Sequence, residues 1–215
     1  MGYVLTAEGI GKNPSVVYWL NKTLYLNITN RCTNNCYFCL RRFKTGIAGF
    51  NLKLKDEPPS NRIINVLQNV LNRRHWKEIV FCGFGEPTTR LDTLLEVACW
   101  INKTALKPVR IDTNGHAFLL YPKRDVVNEL KKAGVSKLSV SLNAHNETIY
   151  NEVCQPKFEN AFDKVLEFVE QVKDKGFNVE VTAVTIPEIE ISAVEKLASD
   201  MKVQFRARQY LPFIW

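Results

Sequence analysis

Three cysteines fall within the short run Arg31-Cys32-Thr33-Asn34-Asn35-Cys36-Tyr37-Phe38-Cys39, with the spacing C-x3-C-x2-C. Thiolates at this density are ligands for zinc or for iron-sulfur chemistry. Structural zinc prefers four protein ligands, usually as two close pairs, and the sequence offers no second C-x2-C pair and no His pair. A cubane cluster has four irons, so three thiolates leave one iron open to a substrate or cofactor, unlike the four-cysteine pattern of electron carriers. The spacing alone leaves an iron-sulfur enzyme, an iron-sulfur electron carrier and a zinc-stapled binding module in contention. The other cysteines look less special. Cys99 on a helix stripe and Cys82 at a strand end read as small buried hydrophobes, while Cys154, in the loop after the fourth expected strand, is a candidate reactive thiol.

The frame around these residues is one domain. A chain of 215 residues, 46% of them hydrophobic, can bury one sizeable core. We expect a preamble over 1–22 and a core domain over 23–215. No signal-peptide pattern opens the sequence and no run approaches the ~18 apolar residues of a membrane span, so the expectation is a cytoplasmic protein with reduced thiols and no membrane partner. Met1, Gly2 and Thr6 formally fit a myristoylation pattern, but no second membrane signal accompanies it. The net charge of +7 comes from scattered basic residues such as Arg41, Arg42, Arg73 and Arg74, which read as solvated faces; nucleic acid is not indicated.

From Thr23 onward, β-rich runs alternate with amphipathic helical segments, the pattern of a parallel sheet covered by helices. Strands are expected at 23–29, 78–83, 108–113, 137–143, 178–186 and 202–208. Helical stripes are Ile63, Leu67, Val70 and Leu71, then Leu94, Leu95, Ala98 and Cys99, then Phe158, Phe162, Val165, Val169 and Val172. Ser60 is the expected N-cap of the first helix, and Gly134 and Gly176 stand where two helices should stop. Six strands and five helices make an α/β fold, a partial (β/α)6 TIM-like barrel. The apolar tail Leu211–Trp215 is placed to cover its open edge or a partner subunit.

The cysteine run after the first strand, with the glycine-rich turn Cys82-Gly83-Phe84-Gly85-Glu86-Pro87 after the second, resembles the radical S-adenosylmethionine (SAM) superfamily over residues 23–210. Asp112-Thr113-Asn114-Gly115 and Ser141-Leu142-Asn143 end the next two strands, on the rim where barrels of this type build their sites. The resemblance implies a radical SAM fold in which Cys32, Cys36 and Cys39 hold a [4Fe-4S] cluster whose fourth iron is chelated by SAM. It further implies that Phe38 lies near the adenine and that Gly83, Phe84, Gly85 and Glu86 meet the methionine end. Glycines allow close backbone approach, and a carboxylate can receive an amine. Asp112 and Asn114 resemble a motif of glycyl-radical activating enzymes, where the acid helps to form a cation site, but the second aspartate of that site is matched here by Ser141. Ser141 and Asn143 remain suited to SAM ribose or carboxylate. Leu24–Arg31 and Phe205–Tyr210 are similar to the TatD-linked radical SAM proteins.

The implied activity is reductive cleavage of SAM to a 5'-deoxyadenosyl radical, which takes hydrogen from an unidentified small-molecule or protein substrate. The implied electron donor is a one-electron carrier such as flavodoxin or ferredoxin. The rival within the family is a glycyl-radical activating enzyme acting on a partner protein. Arg206 or Arg208, whichever faces inward, is a candidate receptor for an anionic substrate group.

Overall fold

A computed structural model describes residues 13–210; the Met1-Gly2 pattern and the Leu211–Trp215 tail lie outside the described residues. Its sheet has seven strands. β1 (Val17–Leu20) pairs antiparallel with β2 (Thr23–Leu26), and a small second sheet joins β3 (Gly46–Ile47) to β4 (Phe50–Asn51). The chain then runs through α1 (Ser60–Leu71), β5 (Glu78–Phe81), α2 (Leu91–Trp100), β6 (Val109–Thr113), α3 (Ala117–Leu120), α4 (Val126–Lys132) and β7 (Val135–Ser141). It ends with α5 (Glu147–Cys154), α6 (Ala161–Asp174), β8 (Asn178–Thr185), α7 (Ile191–Asp200) and β9 (Gln204–Gln209). Strands β2, β5, β6, β7, β8 and β9 are parallel neighbours in that order, giving the expected half-barrel of six parallel strands.

Four expectations change. Residues 17–20, read as part of a preamble, form the edge strand of the main sheet. The five expected helices become seven, because two connections are broken by proline. Pro122 cannot continue α3, and Asp125 caps a new helix by accepting from the Asn128 amide; Pro156 likewise separates α5 from α6. Ser60 is the first helical residue rather than the cap: Pro59 occupies the cap position and no side chain bonds there. Cys99 is only partly buried, while Leu91, Leu94, Val97 and Ala98 form the buried stripe of α2.

The two faces of the sheet differ sharply. Ile79 and Phe81, Val109 and Ile111, Leu138 and Val140, and Val181 and Ala183 join the helices in one apolar core. Strand alternation sends the intervening residues to the concave face, and there, Val80 and Val184 apart, they are mostly polar. Arg110 bonds Glu78 at 2.9 Å and Asp112 at 2.8 Å, Lys137 reaches Glu78 at 3.4 Å, and Arg206 forks onto Glu180 at 2.8 and 2.9 Å. Among the described residues, no helix is long and apolar enough to cross a membrane.

Gly134 and Gly176 end α4 and α6 with φ of 87° and 78°, the left-handed backbone that glycine adopts without strain. Their surroundings differ: a Cβ at Gly134 would stand 2.4 Å from Asn102 Cγ, whereas at Gly176 the nearest atom is Lys131 Nζ at 4.0 Å. Replacing Gly134 with Ala is therefore expected to cost the strain, about 1–3 kcal/mol, plus the clash. Gly176→Ala costs the strain alone. Thermal melts should rank Gly134→Ala below Gly176→Ala, and equal melting points would refute the distinction.

Candidate functional site

The cysteine loop leaves the C-terminal end of β2, and its root is clamped by the turn that leaves β5. A Cβ at Gly83 would lie 2.2 Å from Asn27 Oδ1, and one at Gly85 would lie 2.3 Å from the Arg31 carbonyl oxygen. Neither glycine has positive φ; what these positions demand is room for the β2 backbone. The Phe84 amide donates to Asn27 Oδ1 at 2.9 Å, and the Glu86 amide to the Arg31 carbonyl at 2.7 Å. Asn27 is fully buried and its Nδ2 donates to the carbonyls of Ser15 and Leu52. The Phe84 ring packs against the cluster of Tyr18, Phe50 and Leu52.

Glu86 is 4% exposed and its carboxylate already has four donors: the Thr88 amide and hydroxyl and the Thr113 hydroxyl on one oxygen, and the Asn114 amide on the other at 2.7 Å. Burial pushes its pKa upward, against the pull of those donors. Glu86 thus ties the β5 turn to the end of β6. Asn114 continues the chain of contacts, donating from Nδ2 to Thr33 Oγ1 at 2.7 Å.

Beneath the cysteine loop lies a buried polar layer that the sequence did not announce. His116 Nδ1 meets Thr33 Oγ1 at 2.9 Å, its Nε2 meets the Tyr150 hydroxyl at 2.8 Å, and Asn34 Nδ2 donates to the same hydroxyl at 3.3 Å. His116 and Tyr150 are fully buried. The His116 signal was its place just after Gly115, but nothing local indicates Tyr150, 34 residues further on.

The three cysteines are each partly exposed on the rim. N–H groups are directed at two of their sulfurs: the Asn34 amide at 3.5 Å and Asn114 Nδ2 at 3.9 Å from Cys32 Sγ, and Arg41 Nε at 3.4 Å from Cys39 Sγ. Such donors stabilise thiolate sulfur and tune iron-sulfur centres, so the chemistry of this donor set suits three thiolate ligands, although among the described residues no three His, Cys, Asp or Glu side chains already stand together as a metal site. Burial, with the Glu86 charge, raises the Cys32 thiol to about 11. Cys154 is the last residue of α5 rather than a loop residue, and it is fully buried. The Cys154 thiol, near that of Cys36, pushes the Cys36 pKa upward together with burial, and it lies 3.7 Å from Asn143 Nδ2.

The remaining expected residues divide between contacts already made and groups left open. Phe38 is half-buried and edge-on to Tyr37 at 5.5 Å. Arg110 Nε holds Asp112 at 2.8 Å, and among the described residues no group of three His, Cys, Asp or Glu side chains is gathered there for a cation. Cys82 is partly buried rather than fully so, and its backbone carbonyl accepts from the Tyr18 hydroxyl at 3.3 Å. Ser141 and Asn143 end β7 on the rim. Asn143, with φ of 58°, bridges to β8 by donating its amide to the Thr182 carbonyl and accepting the Val184 amide.

The buried layer predicts an acid sensitivity. Burial lowers the His116 pKa from 6.5 to about 4. An unfolded chain therefore takes up a proton that the folded chain refuses as pH falls through that window, and stability is lost from about 6.5 downward to 4. The loss attributable to His116 is on the order of 3 kcal/mol. Denaturant unfolding at pH 7, 5.5 and 4 should show a steeper decline for the wild type than for His116→Gln; parallel curves would refute it.

Comparison with known proteins agrees with this geometry. The radical SAM superfamily pattern matches residues 26–201. A probable GTP 3',8-cyclase of Saccharolobus islandicus is 29% identical over 153 residues, covering 71% of this chain and 44% of the relative. The molybdenum cofactor biosynthesis protein moc-5 of Caenorhabditis elegans is 24% identical over 208 residues, covering 94% of this chain and 32% of that one. The chain thus spans less than half the length of these curated relatives. Among solved structures, SuiB of Streptococcus suis bound to S-adenosylmethionine superposes with a TM-score of 0.68 at 17% identity, covering 89% of this chain and 41% of SuiB, a likeness of fold. With its cysteine loop, half-barrel and matched length, the chain belongs to the radical SAM superfamily, an enzyme family whose cofactors are a [4Fe-4S] cluster and SAM.

Proposed function

We propose that this enzyme abstracts a hydrogen atom from a substrate seated against the charged concave face of the half-barrel. One observation carries the reading: the Cys32–Cys39 loop and the Gly83–Pro87 turn are joined by backbone contacts at the rim directly above that face. When bound, the cluster and SAM supply one-electron cleavage of SAM to methionine and a 5'-deoxyadenosyl radical. Cys32, Cys36 and Cys39 hold the cluster, with Asn34, Asn114 and Arg41 donating to sulfur. The backbone of Gly83 to Gly85 and the buried Glu86 carboxylate, whose Oε2 takes one donor against three on Oε1, border the methionine end. Phe38 serves the adenine, and Ser141 and Asn143 the ribose or carboxylate.

The activating-enzyme alternative has less support, because Arg110 occupies the Asp112 carboxylate on which its cation site depends. The likeness to TatD-linked proteins rests on Leu24–Arg31 and Phe205–Tyr210. A nucleotide substrate is a second reading, favoured by the GTP 3',8-cyclase relative. Anaerobically reconstituted protein is expected to bind about four irons per chain and to release 5'-deoxyadenosine with SAM and dithionite. A cluster whose spectrum SAM never perturbs, and which never cleaves it, would refute the reading. Adding GTP and searching for a cyclised product by mass spectrometry decides the second.

The electron donor is an acidic carrier protein of flavodoxin or ferredoxin type. A groove of about 1140 Å³ flanks the cysteine loop, lined by Arg41, Arg42, Lys44 and Lys53 with no acidic residue, and by the exposed Phe43 and Ile47. Charge complementarity would steer such a donor to it. Lys53→Glu is expected to slow reduction by flavodoxin about tenfold at low salt and to leave dithionite reduction unchanged; equal rates with flavodoxin would exclude this surface.

A further inference from the structure

Among the cations of the concave face, Arg208 stands apart. Arg110, Lys137 and Arg206 each have a carboxylate partner within 3.4 Å. Arg208, two residues beyond Arg206 on β9, shares its face, so the two differ not in direction but in height and partners. No carboxylate pairs with Arg208 among the described residues. Its Nη2 makes only long contacts, 3.3 Å to Ser141 Oγ and 3.4 Å to Asn143 Oδ1, and its buried Nε has no hydrogen-bond partner.

A buried guanidinium nitrogen left without a partner is costly. Burial accordingly pulls the Arg208 pKa down, with the nearby acidic side chains of Cys82 and Asp112 opposing. Asp112 cannot neutralise it, being bound to Arg110. The guanidinium presents a planar fork matched to two oxygens of one anion.

We propose that Arg208, through the face of its guanidinium left without a partner, is the receptor for an anionic oxygen group, carboxylate or phosphate, on the substrate. The inference rests on the concave face being the substrate side and gives that substrate a chemical class. An anion held here at the end of β9 is on the same rim as the cysteine loop, so the remainder of the substrate can extend toward the site of the radical. Arg206, saturated by Glu180, supports the sheet instead.

The methionine carboxylate of SAM is an alternative source of the same chemistry, and the test separates the two. The anaerobically reconstituted chain is titrated calorimetrically with inorganic pyrophosphate and, separately, with malonate, at constant ionic strength. At least one is expected to bind, with affinity about tenfold weaker in Arg208→Gln and unchanged within about twofold in Arg206→Gln. SAM affinity should stay within about twofold in Arg208→Gln. The proposal is overturned if neither anion binds, if Arg208→Gln binds them as the wild type does, or if it loses SAM affinity about tenfold. Should Arg208→Gln fail to fold, Arg208→Lys decides: it keeps the charge but loses the fork, and an unchanged anion affinity would overturn the assignment. Because no SAM cleavage is involved, a failure here is distinct from a failure of the proposed reaction.

Discussion

The contact on which the site depends is backbone against backbone. The Gly83–Glu86 turn lies so close to Asn27, Thr29 and Arg31 that any side chain at Gly83 or Gly85 would overlap the chain leaving β2. That proximity brings two loops, separated by more than forty residues of sequence, into one surface. The Glu86 amide then bonds the root of the cysteine loop, and its carboxylate bonds the end of β6. Three strand ends are locked by one residue. The geometry of the thiols is thus inherited from the parallel sheet rather than from the loop that carries them.

The second consequence is electrostatic. Closed barrels fill their interior with branched apolar side chains, but a half-barrel leaves its concave face open, and this one carries arginine, lysine and carboxylates at successive levels. Charges so close are tolerable because most are paired and hydrogen-bonded. Glu78 and Asp112 around Arg110, and Glu180 around Arg206, make a mutually neutralised floor. The unpaired Arg208 lies at the upper edge of that floor, where a ligand rather than the fold can satisfy it.

The layer below the cysteine loop explains why the loop can be ordered. Thr33 and Asn34 reach Asn114, His116 and Tyr150, so β6 and α5 both hold it. Neutral His116 supplies a donor on one nitrogen and an acceptor on the other, which suits a position between two hydroxyls. On the other flank, the Asn35 amide bonds to the end of α5, and Arg42 donates to the carbonyls of Asn35 and Cys36.

Much of this was legible in the sequence. The β-rich runs at 108–113, 137–143 and 178–186 mark strands to within two residues of β6, β7 and β8, the spacing of Ile63, Leu67 and Val70 marks a helix, and the three thiols with the glycine turn carry the resemblance that implies the chemistry. These are local periodicities and spacings, and a chain's own covalent geometry converts them into structure. The roles of Asn27, Thr33, His116 and Tyr150, the burial of Cys154 at the end of α5, and the contrast between Arg206 and Arg208 were decided only by the tertiary structure. Strand period tells which residues share a face. It does not tell which residue of the neighbouring strand stands opposite, and so it cannot say which arginine finds a carboxylate; the register and curl of the sheet decide that, leaving Arg206 beside Glu180 and Arg208 with none.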